Sequence, residues 1–149
     1  MTTDVPRGFV DWVGVTNTLE HAATGGIRTI TLSQMDGSLL AIGHAKSTTT
    51  GLSVHELPAS ARIHKQNADC VTGALVASIW QNHAAFGSGQ ELQSIVVDCE
   101  TGQIIVSKVG PYLLSIVANH TIPPGMLRGK VRQTPLIAYM LILTLVCVS

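Results

Sequence analysis

Ser94-Ile95-Val96-Val97-Asp98-Cys99, Gln103-Ile104-Ile105-Val106-Ser107-Lys108-Val109 and Tyr112-Leu113-Leu114-Ser115-Ile116-Val117-Ala118 decide the fold: within Leu92 to Ala118 they read as a three-stranded antiparallel meander. Each run is rich in β-branched side chains, which suit a pleated, packed surface. Glu100-Thr101-Gly102 supplies a glycine for the first short turn, and Gly110-Pro111 removes an amide donor where the second strand must stop. A sheet with one wet face would alternate apolar and polar residues. Here Ile95, Val97 and Cys99 oppose Val96, and Ile104 and Val106 oppose Ile105 and Val109, so both faces need covering.

The covering elements lie to either side. Ala68 to Phe86 carries the longest helical period, with Val71, Leu75 and Ile79 on one line, Ala74, Ala77 and Ala84 beside it, and a second surface of Val76, Trp80 and His83. Asn67 or Asp69 is the expected cap, and Gly87-Ser88-Gly89 ends the helix. A helix apolar on two sides in a small domain implies a neighbour, and Ala74, Ala77 and Ser78 are small enough for another backbone to come close. Earlier in the chain, Val15 to Thr24 fits a short helix through Val15, Leu19 and Ala22 or Ala23, closed by Gly25-Gly26. Ile27 to Leu32 alternates as a half-covered strand, Asp36-Gly37 marks a hairpin turn, and Leu39 to Gly43 returns.

The remaining segments are less regular. Residues 1–14 read as a flexible lead, and Lys46 to Asn67, without a durable period, reads as an exposed loop. Pro124 suits the first turn of a short last helix with Met126, Leu127 and Val131, which Pro135 interrupts. Residues 135–149 form a separate apolar tail. Its run from Leu136 to Val148 reaches only about 20 Å as a helix, against roughly 30 Å of bilayer hydrocarbon, so a buried or interfacial tail is expected.

At 149 residues the chain is one domain, able to bury a core without disulfides or metal. Nine Lys and Arg balance nine Asp and Glu, which lacks the electrostatic footprint of a nucleic-acid binder. Three scattered cysteines, Cys70, Cys99 and Cys147, fit a reducing compartment, and no signal peptide, myristoylation site or prenylation box is readable. There is no Walker-type phosphate loop, and no pair among the six histidines has helical metal-ligand spacing. His55 and His64 are expected in the loop as solvated side chains, and Cys99 as a small buried hydrophobe. No enzyme constellation, cofactor or metal is expected.

In order the elements are helix, strand, strand, helix, three strands, helix: an α+β sandwich with a five-stranded, mainly antiparallel sheet and helices on both faces. The chain resembles the roadblock/dynein light-chain superfamily over roughly Val15 to Gln133, and within it the Ragulator branch. The likeness rests on Thr24-Gly25-Gly26-Ile27, Asp36-Gly37-Ser38-Leu39-Leu40-Ala41, Ala77-Ser78-Ile79-Trp80, Asp98-Cys99-Glu100-Thr101-Gly102, Leu113-Leu114 and Gly125-Met126-Leu127-Arg128-Gly129-Lys130. It places residues 15–134 in one roadblock domain with a loop of about 46–67 inserted where the family has a short link. The apolar tail also departs from the family's polar last helix. A retained intron or alternative exon is one origin for it and a functional tail the other, and the genomic exon boundary separates them.

The resemblance implies a non-catalytic scaffold that pairs with a second roadblock-fold subunit. It also implies a complex on the cytoplasmic face of late endosomes or lysosomes, where the pair joins Rag-type GTPases and a lipid-anchored scaffold subunit to support TOR and MAPK signalling. Membrane contact would be indirect. The partner surface expected on this reading comprises Ala74, Ala77, Ser78 and Gln81 on the long helix, with Ser94, Val96 and Val97 on the first meander strand, placed there by family analogy. Two other roles are weighed against it. One is a homodimeric dynein light chain or small-GTPase regulator of the bacterial roadblock type; the other is a small membrane protein anchored by the tail.

Overall fold

The computed structural model describes residues 12–46, 58–87, 89 and 91–130. Helix α1 (Trp12–Ala22) leads into the hairpin of β1 (Ile27–Gln34) and β2 (Leu39–His44). The long helix α2 (Ala59–Ala85) follows, then β3 (Ser94–Cys99), β4 (Gly102–Val109) and β5 (Tyr112–Ala118). Residues 124–130, here α3, are helical, with Met126 and Leu127 amides donating to the Pro123 carbonyl at 3.0 and 3.3 Å. The expected order of elements and the five-stranded sheet are therefore what the chain adopts. β3 and β5 have the bounds read from sequence, and β4 begins one residue earlier.

All four strand pairings are antiparallel, in the order β2-β1-β5-β4-β3. The last strand of the meander is thus the centre of the sheet, and β2 and β3 are its edges. Two cores follow from strand alternation. On one face, Ile30, Leu32, Ile105, Leu114 and Ile116 pack with Val15 and Leu19 of α1 and Leu127 of α3. On the other, Val106 and Leu113 pack with Val76, Ala77 and Trp80 of α2. A register shift between Ile27 and Thr29 in the β1–β5 pairing lets Ile27 join the first core together with Ile30 and Leu32.

Four sequence expectations need correcting. First, α2 begins at Ala59, so residues 59–67, including His64, are helix rather than loop. These residues lack Gly and Pro, but from Ala59 to Ala68 only Ala61 and Lys65 are even half-buried. Apolar periodicity reports a buried face, not helicity, and an overhanging helix has none to report. Crossing five strands takes roughly 19 Å, whereas 27 helical residues reach about 40 Å. Residues 47–57 lie outside the described residues. Second, Pro58 occupies the N-cap position without a side-chain cap, so neither Asn67 nor Asp69 starts the helix.

Third, α1 starts at Trp12, which takes the end of the supposed lead into the domain. Residues 1–11 lie outside the described residues, as does the tail 135–149. Fourth, β1 is covered on both faces rather than one, because Thr31 and Ser33 are 1% exposed beneath α2. The Thr31 hydroxyl meets the Ser115 hydroxyl across the β1–β5 pair, satisfying both groups where water is excluded. Among the described residues, no helix is long and apolar enough to cross a membrane.

Candidate functional site

The surface most in need of explanation is the outer side of α2. The helix turns Gly73, Val76, Ala77 and Trp80 inward, while Ile63, Val71 and Leu75 remain 57%, 69% and 53% exposed. At 100° per residue Val71 and Leu75 fall roughly 180° and 140° from Trp80, on the outer side, while Ile63 lies only about 100° from it, on the flank of the overhanging part. The two apolar surfaces seen in the sequence are both real. The second, with Val76 and Trp80, packs on the sheet, and the line through Val71 and Leu75 faces out. Trp80 decides this, because its indole removes more apolar area from water than either aliphatic residue.

Beside α2 runs the free edge strand β3. Ile95 packs against the Val76, Ala77 and Trp80 cluster, and Val97 shares its face of the sheet. Ser94 and Val96 point to the opposite face, with Val96 42% exposed. β3 bonds only to β4 among the described residues, which leaves one side of its backbone ladder open.

The expected interface residues divide accordingly. Ala74, Ser78 and Gln81 are exposed on α2, and Ser94, Val96 and Val97 lie on the edge strand. Ala77 is 2% exposed in the core and offers no outer contact, a correction to its assignment. The small side chains have an internal use. Gly37 has φ of 93°, and a Cβ there would stand 3.1 Å from Ala74 Cα and 3.4 Å from Ala77 Cβ. The β1–β2 turn thus rests directly on α2, and Gln81 Nε2 donates to the Met35 carbonyl at 2.7 Å to hold it. Sequence reading missed Ile63 because it lay in the presumed loop. It counted Val71 and Leu75 as helical without knowing which way they faced.

The turn itself is electrostatically shaped. The Ser38 amide donates to Asp36 Oδ1 at 2.9 Å, and this bond, to a group that needs its charge to accept well, holds the Asp36 carboxyl below its ordinary value. Elsewhere, His120 Nδ1 lies 3.3 Å from Asp98 Oδ1, tying the end of β5 to the β3–β4 hairpin, and Lys108 pairs with Glu91 at 3.0 Å. Among the described residues, no group of three or more His, Cys, Asp or Glu is placed to hold a metal ion.

No protein-family model matches the chain. Solved structures do. An MglB in a tetrameric arrangement has 19% identity and a TM-score of 0.68, with 90% of this chain and 91% of that one covered. The gliding protein MglB from Thermus thermophilus has 18% identity and a TM-score of 0.63, over 88% and 90% of the two chains. A Roadblock/LC7 domain from Streptomyces avermitilis has 15% identity and a TM-score of 0.60, over 83% and 91%. At such identities the likeness is one of architecture, and the chain has the roadblock fold.

Proposed function

We propose that the protein is a non-catalytic roadblock subunit that works by pairing, through the outer side of α2 and the β3 edge, with a second roadblock-fold subunit, and that the pair serves small-GTPase regulation. The observation that carries this is the exposed line of Val71 and Leu75 on a helix whose other side is already buried. Apolar surface in such a line marks a protein contact, and an open strand edge beside it offers backbone bonds that a partner strand can complete. A solved structure of the same fold has a tetrameric arrangement, which fits a subunit built to associate.

On the resemblance to the Ragulator branch, we assign the finer role of a Ragulator-like adaptor, similar to the second late endosomal/lysosomal adaptor, MAPK and MTOR activator. It would sit on the cytoplasmic face of late endosomes or lysosomes, help recruit Rag-type GTPases and support TOR and MAPK signalling, with a lipid-anchored partner supplying the membrane attachment. The second reading is a self-associating small-GTPase regulator, favoured by the MglB likeness.

Affinity purification with mass spectrometry separates them: Rag GTPases and a different roadblock subunit support the adaptor, and self-association alone supports the homodimer. Leu75→Glu should abolish pairing in sedimentation velocity while leaving the circular dichroism spectrum intact. A charge at Val96 or Val97 should also break pairing. Wild-type protein that stays a folded monomer at micromolar concentration and captures neither class of partner would overturn the proposal. Deleting residues 135–149 should leave membrane recruitment unchanged, and loss of recruitment would favour a tail-anchored protein.

A further inference from the structure

Away from α2's outer side, the C-terminal end of α1, the start of β1 and the overhanging part of α2 enclose an open groove of about 720 Å³. That volume is of the size that holds small ligands. The chain carries no net charge, yet among the described residues the groove is lined by Arg28, Lys46 and Lys65 and by one carboxylate, that of Glu20. Neither Lys46 nor Lys65 has an ion-pair partner among the described residues. Arg28 is held in place by one bond, its Nη2 donating to the Thr101 carbonyl at 2.9 Å, which leaves most of its guanidinium donors free. The carboxylates of the β3–β4 hairpin do not line the groove.

The wall between the cations is bare backbone. Gly25 has φ of 67°, and a Cβ there would meet nothing within 4 Å, so a ligand can reach the main chain. Ile27 and the aliphatic stems of the lysines give the floor an apolar component. Lysines without an ion-pair partner among the described residues, on a partly enclosed surface with exposed backbone, suit a compact anion.

We propose that this groove binds a phosphate-bearing anion through Lys46, Lys65 and Arg28. The ligand reaches it either as a free phosphate compound or as the phosphomonoester headgroup of a lipid. The test uses the full chain, titrated with inorganic pyrophosphate by calorimetry and with vesicles of phosphatidylcholine alone or mixed with phosphatidic acid by co-sedimentation. Saturable pyrophosphate binding that weakens with salt, and falls about tenfold or more in Lys65→Glu and in Lys46→Gln, identifies a free ligand. Binding confined to phosphatidic acid vesicles and lost in the same variants identifies the headgroup. Both side chains sit on the surface, and unchanged circular dichroism establishes that the variants fold. The proposal is overturned if neither probe binds, if both variants bind as wild type, or if plain phosphatidylcholine vesicles bind equally. Leu75→Glu, which targets pairing, should leave the groove's affinity unchanged, so this test stands or falls apart from the pairing surface.

Discussion

His44 Nε2 lies 3.1 Å from Asp69 Oδ2 and ties the edge strand β2 to α2, the side chains being 9% and 13% exposed. Thr29 Oγ1 is 3.4 Å from the other ring nitrogen, Nδ1. The His44–Asp69 contact is one of ion-pair distance rather than aligned hydrogen bonding, and Asp69 Oδ2 is shut off from solvent. The two residues are far apart in sequence, and their pairing fixes where the overhanging part of α2 departs from the sheet. Asp69→Ala should therefore destabilise the domain by about 1–3 kcal/mol, with Asp69→Asn losing less because the amide keeps a polar group against the ring. Urea midpoints at unchanged m-value measure this, and a midpoint equal to wild type would show the pair to be energetically idle.

Gly43 is the tightest point between α1 and the sheet. A Cβ there would lie 2.3 Å from the Leu19 carbonyl carbon and 2.4 Å from the Glu20 amide nitrogen, both main-chain atoms that cannot rotate away. Gly43→Ala should cost about 1–3 kcal/mol by forcing α1 off β2, seen as a lower thermal midpoint. A stable alanine variant would mean that α1 moves freely on β2.

The buried Thr31–Ser115 hydroxyl pair separates the value of a hydrogen bond from the cost of orphaning a group. Ser115→Ala or Thr31→Val alone strands one hydroxyl under α2 and should cost about 1–3 kcal/mol. The double variant should recover most of that loss. Additive losses in denaturant melts would argue against coupling between the two.

Leu75 and Trp80 are five positions apart on α2 and have opposite surroundings, 53% and 2% exposed. Leu75→Glu should change monomer stability by no more than about 0.5 kcal/mol. Trp80→Ala should cost about 3–5 kcal/mol by emptying the second core. Chemical denaturation under dilute conditions gives both, and comparable losses would mean that the two faces of the helix have been assigned wrongly.

Asp36 makes the β1–β2 turn acid-sensitive. Its folded-state pKa is held below the ordinary 3.8 by the Ser38 amide, so its contribution is present above the unfolded value and is lost as pH falls through the folded one. The stability gap between wild type and Asp36→Ala should hold steady near neutrality and close in the acid range below pH 3.8. A gap independent of pH would show that the carboxylate charge has no part in the turn.

The meander and the first hairpin were legible because strands and turns are written locally. β-branched runs such as Ile104 to Val106 need a pleated surface, and Asp36-Gly37, Gly102 and Gly110-Pro111 stop and reverse the chain whatever lies across from them. Apolar residues on both faces of the meander likewise required cover on two sides, and α1 with α3 on one face and α2 on the other supply it. Of the residues expected to pair, Ala74, Ser78 and Gln81 are exposed on α2 and Ser94, Val96 and Val97 lie on an edge strand, whereas Ala77 is buried, because apolar spacing alone does not say which side of the helix meets the sheet.

The amino-acid sequence by itself thus determined the kinds and order of the elements and the need for two layers of helix over one sheet. Only the tertiary structure decided which side of α2 faces in, how far that helix overhangs, that Gly43 admits α1, and that His44 meets Asp69. The division has one physical cause. Turn chemistry and side-chain period act between neighbours along the chain, whereas burial and ion pairing depend on segments that meet only after folding, and an amphipathic pattern that serves two faces equally leaves the choice to packing.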